Sequence, residues 1–358
     1  MGAVTPPHRI AAAVLLALVC SGALARAQEP GQAGVPSPAP ASAPAQPLPF
    51  DQWLAALRID AMARGVSQRT VDQALGSVER LPIVVERDRT QAELVLTLDG
   101  YLKRRLTPRL VRDAKTAART HRKVLRKAST AYGVPPSVMV AIWGLESNFG
   151  RFTGTRPTIA SLATLAYDSR RSAMFREEIF AALQIVDRGE VSTSALTGSW
   201  AGAMGQVQFM PSSYLKYAVD FDGDQRRDIW ASRPDILASI ANYLKEHGWV
   251  AGQRWGREVR VPEAAAARVA TAVPLRMTGS CLAEREMTEA RPLRSWAALG
   301  VRQKNGAALP ASDIPASLVR VDTQRFLVYG NYESLLGYNC AHTYALSVAF
   351  LSDRLGGS

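Results

Sequence analysis

Residues 134–150 read VPPSVMVAIWGLESNFG, and this stretch predicts a helix that carries a single acidic side chain. Proline suits the first position of a helix, so Pro135 and Pro136 mark its start. Apolar residues then recur every three or four positions and form one stripe: Val138, Ile142, Leu145 and Phe149. Gly150 is a typical helix stop.

Glu146 lies in the last turn of this helix, beside the apolar stripe rather than opposite it. Its apolar neighbours are expected to exclude water from the carboxyl group, and the C-terminal end of a helix disfavours negative charge; both effects raise a carboxyl pKa. A carboxyl group that stays protonated near neutral pH can act as a general acid. The alternative is an ordinary solvent-facing glutamate.

The composition is that of a folded protein. Of 358 residues, 47% are hydrophobic and 21% charged, which excludes a fully disordered or fibrous chain and suggests two domains or one domain with lobes. The 43 Lys and Arg against 31 Asp and Glu give a net charge of +12, so either an anionic partner or a solvated basic surface is expected. For the very basic residues 109–127, the pattern favours a solvated helix face.

The N-terminus has the features of an export signal. His8 and Arg9 precede an apolar run that is too short to span a bilayer, and small residues follow it. We expect a signal peptide over 1–27 and a periplasmic protein whose mature chain has no transmembrane segment. Val19 before Cys20 disfavours a lipid anchor at that cysteine.

The rest of the chain divides into segments by composition and pattern. The Pro- and Ala-rich start predicts a disordered linker, helical periodicity follows from Phe50, and short alternating stretches later predict strands. The expected segments are a linker over 28–49, an N-terminal helical lobe over 50–128, a core over 129–255, a small β-containing insert over 256–300 and a C-terminal part over 301–358 that completes the core.

A glycine-rich loop occupies residues 199–214. Its small residues let backbone approach a ligand closely. Gln206 and Gln208 offer amide groups, and the rings of Phe209 and Tyr214 are suited to stacking on sugars. The alternative is a tight core crossing between helices.

An acidic loop follows at residues 220–231, with carboxylates at positions 1, 3, 5 and 9. This spacing of oxygen ligands suits calcium, with the backbone carbonyl of Arg226 at position 7. The carboxylates are Asp220, Asp222, Asp224 and Asp228. The loop departs from the standard EF-hand, because its glycine is at position 4 and Ala231 stands where a glutamate is expected. The alternative is a turn cluster whose aspartates pair with Arg226 and Arg227.

Other chemistries lack their motifs. The four histidines have no metal-binding spacing, no G-x-S-x-G elbow is present, and no nucleic-acid-binding module is recognised. Cys281 and Cys340 can pair in an oxidising compartment, but the sequence leaves this bond open.

The sequence resembles the B-family lytic murein transglycosylases, glycoside hydrolase family 103. The resemblance covers roughly residues 50–355, in order, and its main motifs are 143–150 and 199–214. Further matching segments are Arg170-Arg171, 220–230, 241–249, 291–301 and 338–346. The resemblance implies a mainly α (α+β) fold, with a lysozyme-like helical core, an N-terminal helical lobe and a small β-containing lobe.

The family's activity implies cleavage of the MurNAc-GlcNAc β-1,4 bond of peptidoglycan with formation of 1,6-anhydromuramyl products, in cell-wall remodelling. It implies that Glu146 is the catalytic acid/base, that Ser199 positions the acetamido group, and that Arg170 and Arg171 contact the peptide stem or muramyl carboxylate. The residues implied to line the glycan groove are Gln208, Phe209, Met210, Tyr243, Tyr338, Asn339 and Tyr344. Met174 stands where the family has an aromatic residue.

The resemblance also implies a variant calcium site, in which Asp235 supplies a later acid. We expect this ion to be structural, with no cofactor required for catalysis. Glycan strands are the expected partner, cell-wall synthases are further candidates, and no nucleic acid is expected. A hydrolytic muramidase on the same fold and a non-catalytic peptidoglycan-binding protein are the alternatives.

Overall fold

The computed structural model describes residues 48–90, 97–168 and 171–356. The expected signal peptide, Cys20 and nearly all of the expected linker lie outside these residues. Within them the chain forms sixteen helices and seven short strands. None of the described helices combines the length and apolarity needed to cross a bilayer.

The helices in chain order are α1 Phe50–Ala63, α2 Gln68–Leu75, α3 Pro82–Thr90, α4 Leu98–Arg105, α5 Pro108–Thr120, α6 Arg122–Tyr132, α7 Pro136–Ser147, α8 Thr158–Tyr167, α9 Ser172–Asp187, α10 Pro211–Tyr217, α11 Arg233–Glu246, α12 Glu263–Ala272, α13 Leu282–Arg285, α14 Leu293–Ala298, α15 Gly330–Tyr338 and α16 His342–Arg354. The strands are β1 Arg156–Pro157, β2 Thr197–Gly198, β3 Gly256–Arg260, β4 Arg291–Pro292, β5 Arg302–Gln303, β6 Pro315–Val321 and β7 Gln324–Val328.

Capping side chains and prolines fix several helix starts. Ser67, Thr97 and Thr107 each accept a hydrogen bond from the backbone N–H three residues on, which satisfies a donor that the helix leaves free. Pro108 and Pro136 occupy the first positions of α5 and α7. The start predicted for α7 is therefore confirmed.

Helix α7 lies at the centre of the main core. It packs against α5, α6, α11 and α16, and every residue from Ser137 to Leu145 is buried. The predicted single apolar stripe is therefore wrong, because neighbouring helices cover α7 on all sides. The helix ends at Ser147, before the stop expected at Gly150, since Asn148 already adopts a left-handed φ of 49°.

The strands β4-β6-β7-β3-β5 form an antiparallel sheet with a small core of its own. Leu293, Trp296 and Leu327 are buried in that core, and the Trp296 indole donates a hydrogen bond to the Ala316 carbonyl at 2.9 Å. Strands β6 and β7 join through a two-residue turn in which Asp322 has a φ of 52°.

The sheet extends beyond the predicted insert over 256–300. Strand β3 pairs with β7, which lies in the middle of the segment 301–358 that was expected to complete the helical core. The β-containing region therefore runs to Val328. Sequence patterns missed this because the pairing joins segments about 70 residues apart, which local alternation cannot reveal.

A disulfide joins Cys281 to Cys340, with a Cα–Cα distance of 6.3 Å. Cys281 caps α13, and Cys340 lies in the short segment between α15 and α16. The bond therefore attaches the connection between β3 and β4 to the segment that follows Tyr338.

Candidate active site

Glu146 is held at the C-terminal end of α7, where the helix leaves the core. Its side chain is half-buried, in contrast to the residues before it. Tyr344, near the start of α16, donates a hydrogen bond to Glu146 Oε1 at 2.5 Å. Arg105, the last residue of α4, donates to the carbonyl of Leu145 at 2.7 Å. Three helices thus fix the position of one carboxyl group.

The charge state of Glu146 is balanced between opposing influences. Burial raises the pKa of Glu146 to about 7, against an ordinary value of 4.5. The Tyr344 hydrogen bond and the positive charge of Arg105 favour the anion and oppose that rise in pKa. At neutral pH the group is therefore present in both forms, as an acid that later serves as a base requires.

A cavity of about 280 Å³ opens beside Glu146. Its lining includes Arg104, Arg105 and Arg109, together with Phe152, whose side chain is 71% exposed. Among the described residues that line it, Glu146 is the only acidic one. The site therefore offers one carboxyl group, an aromatic face and several cations.

Sequence reasoning missed Arg105 and Phe152. Arg105 lies four positions before the strongly basic stretch 109–127, whose pattern favours a solvated helix face. Phe152 lies only six positions after Glu146, but an isolated aromatic residue beside an arginine carries no pattern. In both cases only the fold shows that the side chain lines the cavity.

Ser147 and Gln206 are structural. The hydroxyl of Ser147 donates to the Gln206 carbonyl at 2.8 Å. The Gln206 amide accepts from the Trp143 indole at 2.9 Å and donates to the Trp230 carbonyl at 2.7 Å. A Cβ at Gly150, where φ is 85°, would lie 2.3 Å from this amide. Around Gln206, the 199–214 loop is therefore a tight core crossing between helices, which was the alternative to a ligand-binding loop.

Ser199 and Gln208 fix the shape of the same loop. The Ser199 hydroxyl accepts from the N–H groups of Ala201 and Ala203 at 3.3 and 3.1 Å. The Gln208 amide donates to the carbonyls of Thr153 and Gly205. Both side chains remain half-buried, so each keeps a surface on which a ligand can bind.

The aromatic residues of the predicted groove separate into two groups. Phe209 is 2% exposed and packs between Tyr243 and Tyr338, with ring centroids 5.3 and 5.8 Å away. Tyr214 is fully buried and donates to Glu190. The expectation that Phe209 and Tyr214 stack on sugars is corrected, because protein covers their ring faces. Tyr243 is also buried.

The more accessible members of the predicted groove are Met210, Tyr338 and Asn339. Met210 and Tyr338 are half-buried and Asn339 is exposed. The Tyr338 hydroxyl donates to the Val207 carbonyl at 2.7 Å, and its ring lies nearly parallel to that of Tyr344 at 6.4 Å. Tyr344 itself is buried against Glu146. Of the accessible members, Tyr338 thus lies next to Tyr344, which contacts the carboxyl group.

Of the two predicted stem-binding arginines, Arg170 lies outside the described residues. Arg171 is exposed, forms an ion pair with Asp88, and lies over the Phe175 ring at 5.1 Å. Met174, which replaces the expected aromatic residue, is 47% exposed. Arg171 therefore already has an anionic partner within the protein.

The acidic loop brings four carboxylates together. Oxygen atoms of Asp220, Asp222, Asp224 and Asp235 lie within 4.8 Å of one another. Asp228 is not in this cluster; its carboxylate accepts from the N–H groups of Trp230 and Ala231 and closes a turn. The predicted ligand Asp228 is corrected accordingly.

The residues of this cluster suit a hard cation. Asp235 is fully buried, and burial together with the charge of Asp222 raises its pKa. Arg227, which the turn-cluster alternative paired with these aspartates, instead bonds to Glu190 at 3.0 Å. A calcium ion would relieve the repulsion among the four oxygens.

Comparisons with known proteins agree on one group of relatives. The Transglycosylase SLT domain family matches residues 49–353. Membrane-bound lytic murein transglycosylase B of Escherichia coli (strain K12) is 40% identical over 155 residues, which are 43% of this chain and 43% of that protein. The chain thus aligns with less than half the length of this curated relative.

Two solved structures extend the similarity to most of the chain. SltB3 from Pseudomonas aeruginosa, in complex with NAG-NAM-pentapeptide, is 42% identical with a TM-score of 0.78, over 86% of this chain and 80% of its own. The Escherichia coli lytic transglycosylase Slt35, in complex with calcium, is 28% identical with a TM-score of 0.70, over 86% and 93%. The predicted lysozyme-like, mainly α (α+β) fold is confirmed.

Proposed function

The chain belongs to the Transglycosylase SLT domain family, and from this premise we propose that it is a lytic murein transglycosylase. Its substrate is the MurNAc-GlcNAc β-1,4 bond of peptidoglycan glycan strands. The observation that carries the proposal is the single carboxyl group of Glu146, half-buried beside a cavity, with burial raising its pKa to about 7. The relative SltB3, solved with a NAG-NAM-pentapeptide, supports the substrate class.

In the first step Glu146 acts as a general acid. Protonated Glu146 donates its proton to the glycosidic oxygen, and the bond between that oxygen and the muramyl anomeric carbon breaks. Because Oε1 accepts from Tyr344, Oε2 is the oxygen left to carry the proton toward the substrate. The departing GlcNAc takes the proton as its new hydroxyl hydrogen.

The second step needs a nucleophile that the protein does not supply. Glycosidases usually employ two carboxylates, whereas Glu146 is the only acid among the described residues that line its cavity. The neighbouring N-acetyl oxygen of the substrate stabilises the cationic muramyl ring. Ionised Glu146 then takes the proton from the muramyl 6-hydroxyl, whose oxygen closes on the anomeric carbon and forms the 1,6-anhydro ring. No water is consumed.

We assign the surrounding side chains to positioning. Ser199, Gln208, Met210, Tyr338 and Asn339 keep exposed surface along the loop and the end of α15, where a glycan strand can lie. Tyr344 holds the acid. Phe209 and Tyr243 support Tyr338 from the core. Arg171 is assigned to the peptide stem or muramyl carboxylate, for which it must exchange its partner Asp88.

We also propose that the acidic loop holds a structural calcium ion. Asp220, Asp222, Asp224 and Asp235 would supply the carboxylate oxygens. The relative Slt35 was solved in complex with calcium. The ion would join the loop to the start of α11 and thereby fix Trp230, whose carbonyl anchors Gln206 beneath the Glu146 motif.

We also propose that the protein acts in the periplasm. Peptidoglycan lies outside the cytoplasmic membrane, and the N-terminal pattern expected to direct export agrees with that location. The disulfide between Cys281 and Cys340 fits an oxidising compartment. Cell-wall synthases remain candidate partners on the basis of the resemblance alone.

Product analysis tests the proposed reaction. Purified peptidoglycan is digested with the protein, and the released muropeptides are weighed by mass spectrometry. We expect anhydromuramyl ends. Reducing-end muramic acid, one water heavier, would establish a hydrolytic muramidase instead, and absence of any cleavage would leave the non-catalytic binding protein.

A further inference from the structure

The positive charge of this chain is concentrated on one short segment. Residues 103–127 contain eleven Lys and Arg but a single acid, so this segment supplies ten of the chain's twelve net positive charges. All eleven basic side chains are exposed. We call this surface, formed by the end of α4 and by α5 and α6, the basic face.

The helices of the basic face bury their apolar side and present the charge outward. Leu106, Ala114, Ala117, Leu125 and Ala128 are buried in the main core. Arg112, Lys115 and Arg119 recur at helical spacing on α5 and therefore share one side of it. Asp113, the one acid, pairs with Arg151 at 2.6 Å and with Arg109 of the face at 3.9 Å, so it offsets only one of the eleven positive charges.

The basic face reaches the candidate active site. Arg104, Arg105 and Arg109 belong to it and line the Glu146 cavity. A second cavity, of about 240 Å³, lies along the next turns of α5 and is lined by Thr116, His121, Arg151 and Arg233. A polymer bound at Glu146 therefore has a cationic surface beside it along α5, whose 13 residues span about 20 Å.

The face lacks what a membrane-binding surface needs. Interfacial helices insert large apolar residues between their basic ones, yet none of the large apolar residues exposed on the described surface falls within 103–127. Charge without apolar anchors suits a flexible polyanion in water, bound by several weak contacts at once.

We infer that the basic face is an exosite for the carboxylate-bearing peptide stems of the glycan strand whose bond is cleaved at Glu146. This inference rests on the proposed function for the identity of the strand. Each stem contributes carboxylates at intervals along the strand, so several stems engage the face together and hold the strand on the enzyme between cleavages.

The test measures binding rather than turnover, so that it does not depend on cleavage. Both proteins compared are full-length and carry Glu146→Gln, so that neither cleaves the strand. The face variant adds Arg112→Gln, Lys115→Gln, Arg119→Gln and Arg126→Gln. The control variant makes the same charge change on exposed residues elsewhere, with Arg260→Gln, Arg285→Gln, Arg291→Gln and Arg354→Gln. Dissociation constants are measured with intact peptidoglycan, with glycan strands whose stems an amidase has removed and whose freed muramyl carboxylates are then converted to neutral amides, and with phosphatidylglycerol vesicles.

We expect the face variant to bind intact peptidoglycan about tenfold or more weakly than the control variant at low salt, with the difference shrinking as salt screens the charges. Binding to stripped strands should be equal for both. Equal binding of intact peptidoglycan by both variants overturns the exosite. It is also overturned if the face variant loses as much affinity for stripped strands as for intact peptidoglycan. Loss confined to vesicles assigns the face to a membrane and also overturns it.

Failure of the exosite can be told apart from failure of the proposed function. Wild-type protein that releases no muropeptides would contradict the reaction but leave the binding comparison valid. Normal cleavage by wild type, together with identical binding of the two variants, would contradict the exosite alone.

Discussion

Tyr344 donates a hydrogen bond of 2.5 Å to Oε1 of Glu146, although 198 positions separate the two residues in the chain. The bond joins the end of α7 to the start of α16, and these two helices pack against each other within the main core. Hydrogen bonds to an ionised group are stronger than those to a neutral one. The contact therefore strengthens when Glu146 loses its proton, so it favours the first step of the proposed reaction, in which Glu146 becomes a carboxylate.

Replacing Glu146 by glutamine should abolish the proton transfer while keeping the shape of the side chain. We expect the cleavage rate to fall by roughly 10²–10⁴-fold or more, the usual contribution of general acid–base catalysis. Muropeptide release from purified peptidoglycan measures the loss. The thermal melting curve is the control, since a folded but inactive variant is required. Undiminished cleavage by this variant would refute the mechanism.

The cleavage rate should fall as the pH rises above about 7. The proposed first step requires protonated Glu146, whose pKa burial raises to about 7, and the protonated fraction drops tenfold for each further pH unit. A pH–rate profile on soluble glycan fragments tests this. A rate that stays constant between pH 7 and pH 9 would exclude Glu146 as the acid.

The same titration should appear in the stability of the fold. A carboxyl group whose folded pKa is raised contributes stability below its unfolded pKa of 4.5, and that contribution is lost as the pH rises through about 7. Between pH 4.5 and pH 8, the unfolding free energy of wild type should therefore decrease by on the order of 3 kcal/mol more than that of Glu146→Gln, which has no titrating group at this position. Urea unfolding of the two proteins at both pH values provides the comparison.

Replacing Tyr344 by phenylalanine should shift the pH profile upward. The Tyr344 hydrogen bond lowers the pKa of Glu146, so its removal should raise that pKa and move the alkaline limb to higher pH. The maximum rate should fall about tenfold, because the carboxylate formed in the first step is less well stabilised.

Tyr332→Phe is the matched control for this variant. Tyr332 is another buried tyrosine, but its hydroxyl contacts His342 Nδ1 at 3.0 Å rather than Glu146. Tyr332→Phe should leave the alkaline limb of the pH–rate profile at the same pH as in wild type. If both variants lower the rate without moving the limb, Tyr344 acts through packing alone.

Local sequence pattern was enough to predict part of the site. Prolines placed the start of α7, and the apolar residues around Glu146 predicted a water-poor carboxyl group with a raised pKa, as the structure shows. These features depend on residues within one or two helical turns. The resemblance then supplied Tyr344, which no local pattern connects to Glu146.

Other features depend on packing between distant segments. The loop with Phe209 and Tyr214 has a surface-like composition, yet Tyr243 and Tyr338 cover the first ring and Glu190 anchors the second. Burial of this kind is decided by elements outside the loop, some of them far away in the chain. The pairing of β3 with β7 escaped prediction for the same reason.

Reducing the Cys281–Cys340 disulfide should destabilise the fold. The bond closes a loop across 59 positions, and constraining a loop of that length in the unfolded chain stabilises the folded state by about 4 kcal/mol. Urea unfolding with and without reductant measures the loss. The Cys281→Ser, Cys340→Ser double variant should be as unstable as the reduced protein and should not respond to reductant. A double variant as stable as oxidised wild type would contradict this account.

Calcium should raise the melting temperature by binding the four clustered aspartates. An ion that binds only the folded state, at a free concentration 100 times its dissociation constant, stabilises the fold by about 2.7 kcal/mol, which corresponds to a rise of roughly 4 °C for a chain of this size. Asp222→Asn combined with Asp224→Asn should remove most of that rise. Asp313→Asn is the control, because Asp313 is exposed and pairs with Arg294 in another part of the molecule. Calorimetric titration gives the affinity directly; absence of heat in wild type, with no effect of a chelator on melting, would exclude a calcium site in this loop.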